Sequence, residues 1–507
     1  MADFKKRVRS TIESDRASSG VMTALVIALF MVVNAILFTL TQAFGWQYSY
    51  TDKYDYTLSG STDGLFAEAI AKGKKVKISF CMAEDEVKVH STGAEVYTTA
   101  KNYAERYPEF IELDFINIVT RQDKDGNLVK LSKYQTDMNG NPTRILKTSV
   151  IFECGENYRV VTDTSTAVGF ATFFNLDSSL YVNSYNGEEI IAAMVSWVLS
   201  DEHKTAYFTQ HHGETAEISF SNLLSCAGYY VDVVDIRKNK VPDDCDLLVI
   251  SNPTSDFEAA REGSDVIAEV DRLEAYIERG GNILVTLDPY VKSLPVLEGV
   301  LKDHGITFST TETKDGRRLR NMVKENSNAI TADGFTFVAE FAGSELGSAI
   351  SNTVSKYSSG GVILRDASAL ELSGDATPVL VASDTARLEA GGSAVSTGGG
   401  YTVAAASEYV TRDGNLTKIF VVPSIYLAVS DSLITNGYSN KDFAYALFDE
   451  FYGEENMPYG CKSVVYSSQT LENLTMGTAR LYTAIVLMIP AAIAVAGAVV
   501  VIRRKNR

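Results

Sequence analysis

Three short apolar runs between residues 204 and 289 restrict the fold more than anything else in this chain. They are Thr205-Ala206-Tyr207-Phe208-Thr209, Asp246-Leu247-Leu248-Val249-Ile250 and Asn282-Ile283-Leu284-Val285-Thr286-Leu287. Each is a continuous β-prone run, not an alternating one. A strand that is apolar on both faces belongs inside a parallel sheet covered by helices. Helical patterns lie between the runs. Ile218 to Ala227 is closed by Gly228, and Asp265 to Arg279 places Val266, Val270, Leu273 and Ile277 on one face before Gly280-Gly281 stops it. The βαβαβ order predicts an α/β fold built on a doubly wound parallel sheet. Ligands of such sheets sit outside the carboxyl ends of the strands. The groups at those ends are His211-His212-Gly213-Glu214, Asn252-Pro253 and Asp288-Pro289, and these eight residues form the candidate ligand-binding set.

The chain has 507 residues, enough for two or three domains with real cores. Residues 20–44 carry no charge, and a second uncharged run extends from Leu481 to Ile502. Either is long enough to cross a bilayer as a helix. Lys5, Lys6, Arg7, Arg9 and Arg16 precede the first run; Arg503, Arg504, Lys505 and Arg507 follow the second. Positive flanks stay cytoplasmic, so both termini are expected inside a two-pass plasma-membrane protein, with the body outside. The first run could instead be a cleaved signal peptide. Its length and the poor cleavage sequence Ala43-Phe44-Gly45-Trp46 favour a retained anchor. Residues 45–478 hold 36 basic and 61 acidic residues, a net charge of about −25. That argues against nucleic acid as a partner and against lying flat on an anionic membrane.

After the first run, the pattern predicts a helix to about Ala71, capped by Ser59 or Ser61. A strand at Lys75 to Phe80, a helix at Ala94 to Tyr107, a strand at Ile111 to Ile118 and a hairpin around Gly155 come next. This β-α-β-β-β order suggests a small thioredoxin-like unit. Asn186-Gly187-Glu188-Glu189 opens an amphipathic helix with Ile190, Ala193, Met194 and Trp197 on its buried face. Residues 306–375 are rich in Ser, Thr and Gly with one clear strand, Gly361 to Arg365. Strands follow at Thr377 to Ala382, Tyr401 to Ser407 and Leu416 to Pro423, then a closing helix from Asn440 to Tyr452.

The chemistry of an enzyme is hard to find. Cys81, Cys154, Cys226, Cys245 and Cys461 form no Cys-x-x-Cys pair, and buried free thiols are the default for them. Neither a Gly-x-Cys-x-Gly nor a Gly-x-Ser-x-Gly elbow is present, and there is no Gly-x-x-x-x-Gly-Lys-Ser/Thr loop. No catalytic residue is assigned and no cofactor is expected. His211, His212 and Glu214 resemble metal ligands, with Asp288 able to join them across the strand ends. Adjacent residues of an extended segment point to opposite sides, so one ion would not take both imidazoles, and no metal is assigned. The remaining alternatives are a small-ligand pocket, or hydrogen bonds from His212 and Glu214 to the turn that Gly213 allows.

Several short motifs recur here in the order of one family. They are Asp55-Tyr56-Thr57-Leu58-Ser59 with Thr62, Asn186 to Glu189, and His211-His212-Gly213-Glu214, where a His replaces the first Gly of a Gly-His-Gly-Glu pattern. Pro242-Asp243-Asp244, Asn252-Pro253, Gly280-Gly281 with Asp288-Pro289, and Ser439-Asn440-Lys441-Asp442 complete the series. The chain resembles the GldG family, auxiliary components of ABC-type transport systems. The resemblance implies a glutamine-amidotransferase-like (flavodoxin-like) central sheet, and partners in a separate ABC permease and ABC ATPase. The expected arrangement is a basic tail (1–19), a transmembrane helix (20–44), a thioredoxin-like domain (45–185) and an amidotransferase-like domain (186–452). A linker (453–478), a second transmembrane helix (479–502) and a basic tail (503–507) follow. The expected function is a non-catalytic, membrane-anchored accessory subunit that binds a ligand or docks on the permease. A hydrolase or amidase, or a motility-type surface scaffold, are the alternatives.

Overall fold

The computed structural model describes residues 56–138, 140–162, 168–176, 182–215, 218–260, 267–429, 433, 438–453 and 457–466. The two expected transmembrane segments, 20–44 and 479–502, and both basic tails lie outside the described residues. No helix among the described residues is long and apolar enough to cross a membrane.

The first layer is a four-stranded sheet. Its strands run in the order Ile111–Phe115, Val76–Phe80, Val150–Cys154, Asn157–Val161. The first pair is parallel, joined across the helix Gly93–Arg106, and the other pairs are antiparallel. The hairpin turns at Gly155, whose φ of 63° an L side chain rarely adopts. This is the β-α-β-β-β order expected from the sequence. The expected serine cap is not made. Ser61 occupies the N-cap of the helix Thr62–Ala71 without a side-chain bond to it. Ser59 instead gives its N–H and its hydroxyl to Glu188 Oε1, each at 2.6 Å.

The helix Gly187–Leu199 was expected to open the second domain. Its side chains Ile191, Ala192, Met194, Val195, Trp197 and Val198 join the hydrophobic cluster of the four-stranded sheet. The helix is buried nearly all round, and a helix without a polar face belongs between layers.

The second sheet has eleven strands. Along its main path the order is Val362–Arg365, Thr336–Phe341, Ala376–Val381, Thr402–Val410, Leu416–Val422, Asn282–Thr286, Cys245–Ser251, Thr205–Thr209, Tyr230–Val234. From Leu416–Val422 to Tyr230–Val234 every pairing is parallel. The registers Phe208↔Val249, Val249↔Leu284 and Leu284↔Phe420 carry one apolar row across four strands. That row packs with Phe220, Phe443, Leu447 and Phe448 of two helices. On the other face Leu248, Ile283 and Ile419 pack with Leu273, Ile277, Leu297 and Leu301. Each buried Val, Leu, Ile or Phe contributes roughly 1.5–3 kcal/mol, so these two layers supply much of the driving force.

The purely parallel sheet of the sequence reading is corrected in its other half. Leu416–Val422 to Thr402–Val410, and every pairing beyond it, is antiparallel. The fold is therefore mixed α/β. Much of that half comes from residues 306–375, which hold the helix Glu345–Val354 and several strands of three to six residues. The expected linker is also partly built into the body. Met457, Tyr459 and Cys461 are buried, and Val464–Val465 pairs antiparallel with Val182–Tyr185. The rings of Tyr56 and Tyr466, the first and last described residues, pack against Tyr185 and Phe174 respectively, whose own centroids are 5.0 Å apart.

Three of the sequence motifs, those ending in Ser59, Glu189 and Asp442, meet in one polar knot. Glu188 Oε2 accepts from Lys462 N at 3.1 Å. Glu189 accepts from Tyr445 Oη at 2.6 Å and pairs with Lys441 at 3.3 Å. Lys441 also donates to Cys461 O, and Asp442 accepts from Gly460 N. Glu189 ties the closing helix Asn440–Tyr452 to the helix Gly187–Leu199, while Glu188 and Asp442 hold residues 460–462 against them.

Candidate functional site at the strand ends

Thr205–Thr209, Cys245–Ser251 and Asn282–Thr286 are neighbours and parallel, so their carboxyl ends share one edge. Backbone bonds bring the three expected clusters together there. His212 O accepts from Thr254 N and Ser255 N, both at 2.9 Å. Asn252 sits at φ 51°, gives its N–H to Thr286 O at 2.8 Å and accepts from Asp288 N through Oδ1 at 2.7 Å. Pro253 and Pro289 are buried beside them and end the strands. Gly213 lies at φ 72°, and a Cβ there would stand 2.0 Å from Thr254 Oγ1. Its glycine is required by both conformation and space.

The two adjacent histidines part company. His211 is exposed, with Nε2 3.6 Å from Asp235 Oδ2. His212 turns inward and is 3 % exposed. They diverge because His211 adopts φ 81°, a left-handed kink, and not because the segment is extended. His212 N donates to Glu214 Oε2 at 2.6 Å, and its Nδ1 lies 3.0 Å from Glu214 Oε1. Its Nε2 lies 3.1 Å from both oxygens of Glu269. The ring stacks on Phe257 with centroids 4.2 Å apart. Burial alone would push the His212 proton affinity down; the two carboxylates reverse this and hold it above the ordinary histidine value. Burial likewise acts to raise Glu214, and its bonds to His212 hold it below the ordinary carboxylate value.

Asp288 does not join this group. Its Oδ1 accepts from Tyr290 N at 2.9 Å and caps its own turn. The partner supplied in its place, Glu269, was not singled out from the sequence. It starts the helix Glu269–Glu278, is 3 % exposed, and also accepts from Glu258 N at 2.6 Å. Its one signal is position: Glu269, Leu273 and Ile277 fall on one helical face, so an acid heads an apolar stripe. Val266, expected on that face, lies outside the described residues.

This arrangement can hold a loop rigid and favours the protonated form of His212. Neither ring nitrogen of His212 is free to act as a base, since each already faces a carboxylate. The thiols elsewhere are poor nucleophiles, because burial pushes Cys81 up to about 12 and Cys245 up to about 11. Among the described residues, no group of three or more His, Cys, Asp or Glu side chains is placed to hold a metal ion.

No family model and no curated protein matches the chain. Solved structures similar to parts of it include the mmIFT52 N-terminal domain, at 14 % identity and TM-score 0.36, covering 50 % of this chain and 99 % of that one. A ThuA-like protein from Bacteroides uniformis aligns at 13 % identity and TM-score 0.30, covering 48 % and 89 %. PurLQS from Thermotoga maritima aligns at 12 % identity and TM-score 0.25, covering 49 % and 99 %.

Proposed function

We propose that the chain is a membrane-anchored, non-catalytic accessory subunit of an ABC-type transport system, of the GldG type, working with separate permease and ATPase chains. In this reading a thioredoxin-like unit precedes a glutamine-amidotransferase-like sheet, and both stand outside the membrane between two spanning helices. The observation that carries it is His212. At the strand edge where a sheet of this kind would present its reactive groups, the imidazole is sealed between Glu214 and Glu269. The edge is built for rigidity, and the strand-end loops 210–215, 252–255 and 288–290 then form a docking or ligand-contact surface. A second feature supports the reading. The chain enters and leaves its body at one place, around Tyr185 and Phe174, which suits a body held by two neighbouring spans.

The test is a mild-detergent pull-down of the full-length protein from its native membrane, with mass spectrometry of the co-purifying chains. An ABC ATPase and a multispanning permease are expected. Recovery of the protein alone, or turnover of an amide or ester substrate by the purified chain, would overturn the reading.

A further inference from the structure

The strand-end edge is saturated; a cavity elsewhere is not. It lies between the four-stranded sheet and the outer strands Thr205–Thr209 and Tyr230–Val234 of the large sheet, with a volume of about 950 Å³. That is the size of a small-ligand site. Its inner wall is made by Arg159, Trp197, His203 and Tyr230.

Arg159 has no ion-pair partner among the described residues. Its Nη2 donates to Ser225 Oγ at 2.9 Å, while Nη1 is buried with no hydrogen-bond partner among the described residues. The guanidinium carbon lies 4.8 Å from the centre of the Trp197 ring and 5.5 Å from that of Tyr230. His203 stacks flat on Trp197, with centroids 3.7 Å apart. Three further buried polar atoms in this group lack a hydrogen-bond partner among the described residues: Trp197 Nε1, His203 Nδ1 and Tyr230 Oη. Burial opposes the Arg159 charge, which Asp137 on the same cavity offsets only in part, and each buried polar atom left without a bond is costly. Several such atoms in one aromatic-walled cavity mark a place prepared for a polar guest.

The remaining charges narrow the guest. Asp137, Asp232 and Asp244 line the cavity against Arg144 and Arg159, so acids outnumber bases. Asp232 and Asp244 are exposed, on the outer side. A polyanion such as a nucleotide is repelled there. One negative group at Arg159 and one positive group toward the aspartates is accommodated.

We propose that this cavity binds a short zwitterionic peptide, its terminal carboxylate held by Arg159 and its ammonium group by Asp232 and Asp244. The inference stands apart from the transport reading and survives its failure. Two tryptophans occur in the sequence, Trp46 and Trp197, so a full-length Trp46→Phe protein reports on the cavity wall through Trp197 alone. The probe is the dipeptide alanyl-alanine. Saturable change of Trp197 emission is expected, weakened at least about tenfold when the dipeptide is supplied as its C-terminal amide, as loss of a hydrogen bond to a charged group predicts. Arg159→Met should weaken the dipeptide by a similar factor, and Arg159→Lys by less. The double change Asp232→Asn with Asp244→Asn, both exposed and safe for folding, should remove the preference for alanyl-alanine over its N-acetyl form. No saturable response, equal binding of the amide, tighter binding of inorganic phosphate, or an unchanged N-acetyl preference in the double variant would each overturn the proposal.

Discussion

Two inward-facing histidines of this protein sit in opposite surroundings. His212 lies between two carboxylates and on Phe257, with both ring nitrogens engaged. His203 lies on Trp197 beside the Arg159 guanidinium, and its Nδ1 has no hydrogen-bond partner among the described residues. The first is held above the ordinary histidine value. The second is pushed down to about 4, by burial first and by Arg159 second. One residue type thus serves as a carboxylate-clamped rivet in one place and as a neutral aromatic plate in the other. The difference lies in the counter-charge: burial disfavours the imidazolium in both places, and only His212 has carboxylates to outweigh it.

The largest effect that could break this contrast is at Glu269. Glu269→Ala should cost about 3–5 kcal/mol in urea unfolding, because it strips one partner from a buried charge. Glu269→Gln, which keeps the volume, should cost less. A loss below about 1 kcal/mol for the alanine variant would mean that His212 is neutral and the contrast false. Gly213→Ala should follow with about 1–3 kcal/mol, the cost of forcing a side chain into a left-handed conformation against Thr254.

The pH dependence sharpens the comparison. A free histidine titrates near 6.5, roughly its unfolded value. His203 binds its proton more weakly when folded, so its contribution is present above about pH 6.5 and is lost as pH falls toward about 4. His212 binds its proton more strongly when folded, so its contribution is full below about pH 6.5 and is lost as pH rises through its raised folded value. Melting curves across pH 4.5–8.5 should therefore show His203→Phe flattening the acid side and His212→Asn flattening the alkaline side. For His203 the change is on the order of 1 kcal/mol after allowance for solvent screening; for His212 the readout is its sign, a flatter alkaline limb. Equal effects on both limbs would erase the distinction. The smallest expected change is Phe257→Leu, about 0.5–1.5 kcal/mol from the lost ring stack, read as a modest fall in melting temperature.

The parallel half of the large sheet was legible because its strands are apolar on both faces: the runs at 205, 246 and 282 match the observed Thr205–Thr209, Cys245–Ser251 and Asn282–Thr286. Tyr230–Val234 was missed, since an edge strand with Asp232 and Val233 exposed carries no continuous apolar signal. Residues 306–375 were opaque for a related reason. Strands as short as Ile306–Phe308 or Met322–Lys324 owe their conformation to partners far along the chain. At the strand ends the sequence located the loops but not their wiring. Glu269 looks like an ordinary acid in the first turn of a helix, where the dipole favours it. Only the approach of His212, 57 residues away, shows its other use. Arg159 was silent for the opposite reason: a lone Arg in a strand reads as a solvated charge until the missing partner can be seen.

The pairing of Val464–Val465 with Val182–Tyr185, and the neighbouring Tyr56 and Tyr466 rings, has a mechanical consequence. Tension applied between the two ends of the body would not travel through either sheet. It would load the short clasp around Tyr185 and Phe174, where a two-residue strand can peel away one bond at a time. The two apolar faces of the large sheet, far from the clasp in the chain's connectivity, are not the first elements to bear that load.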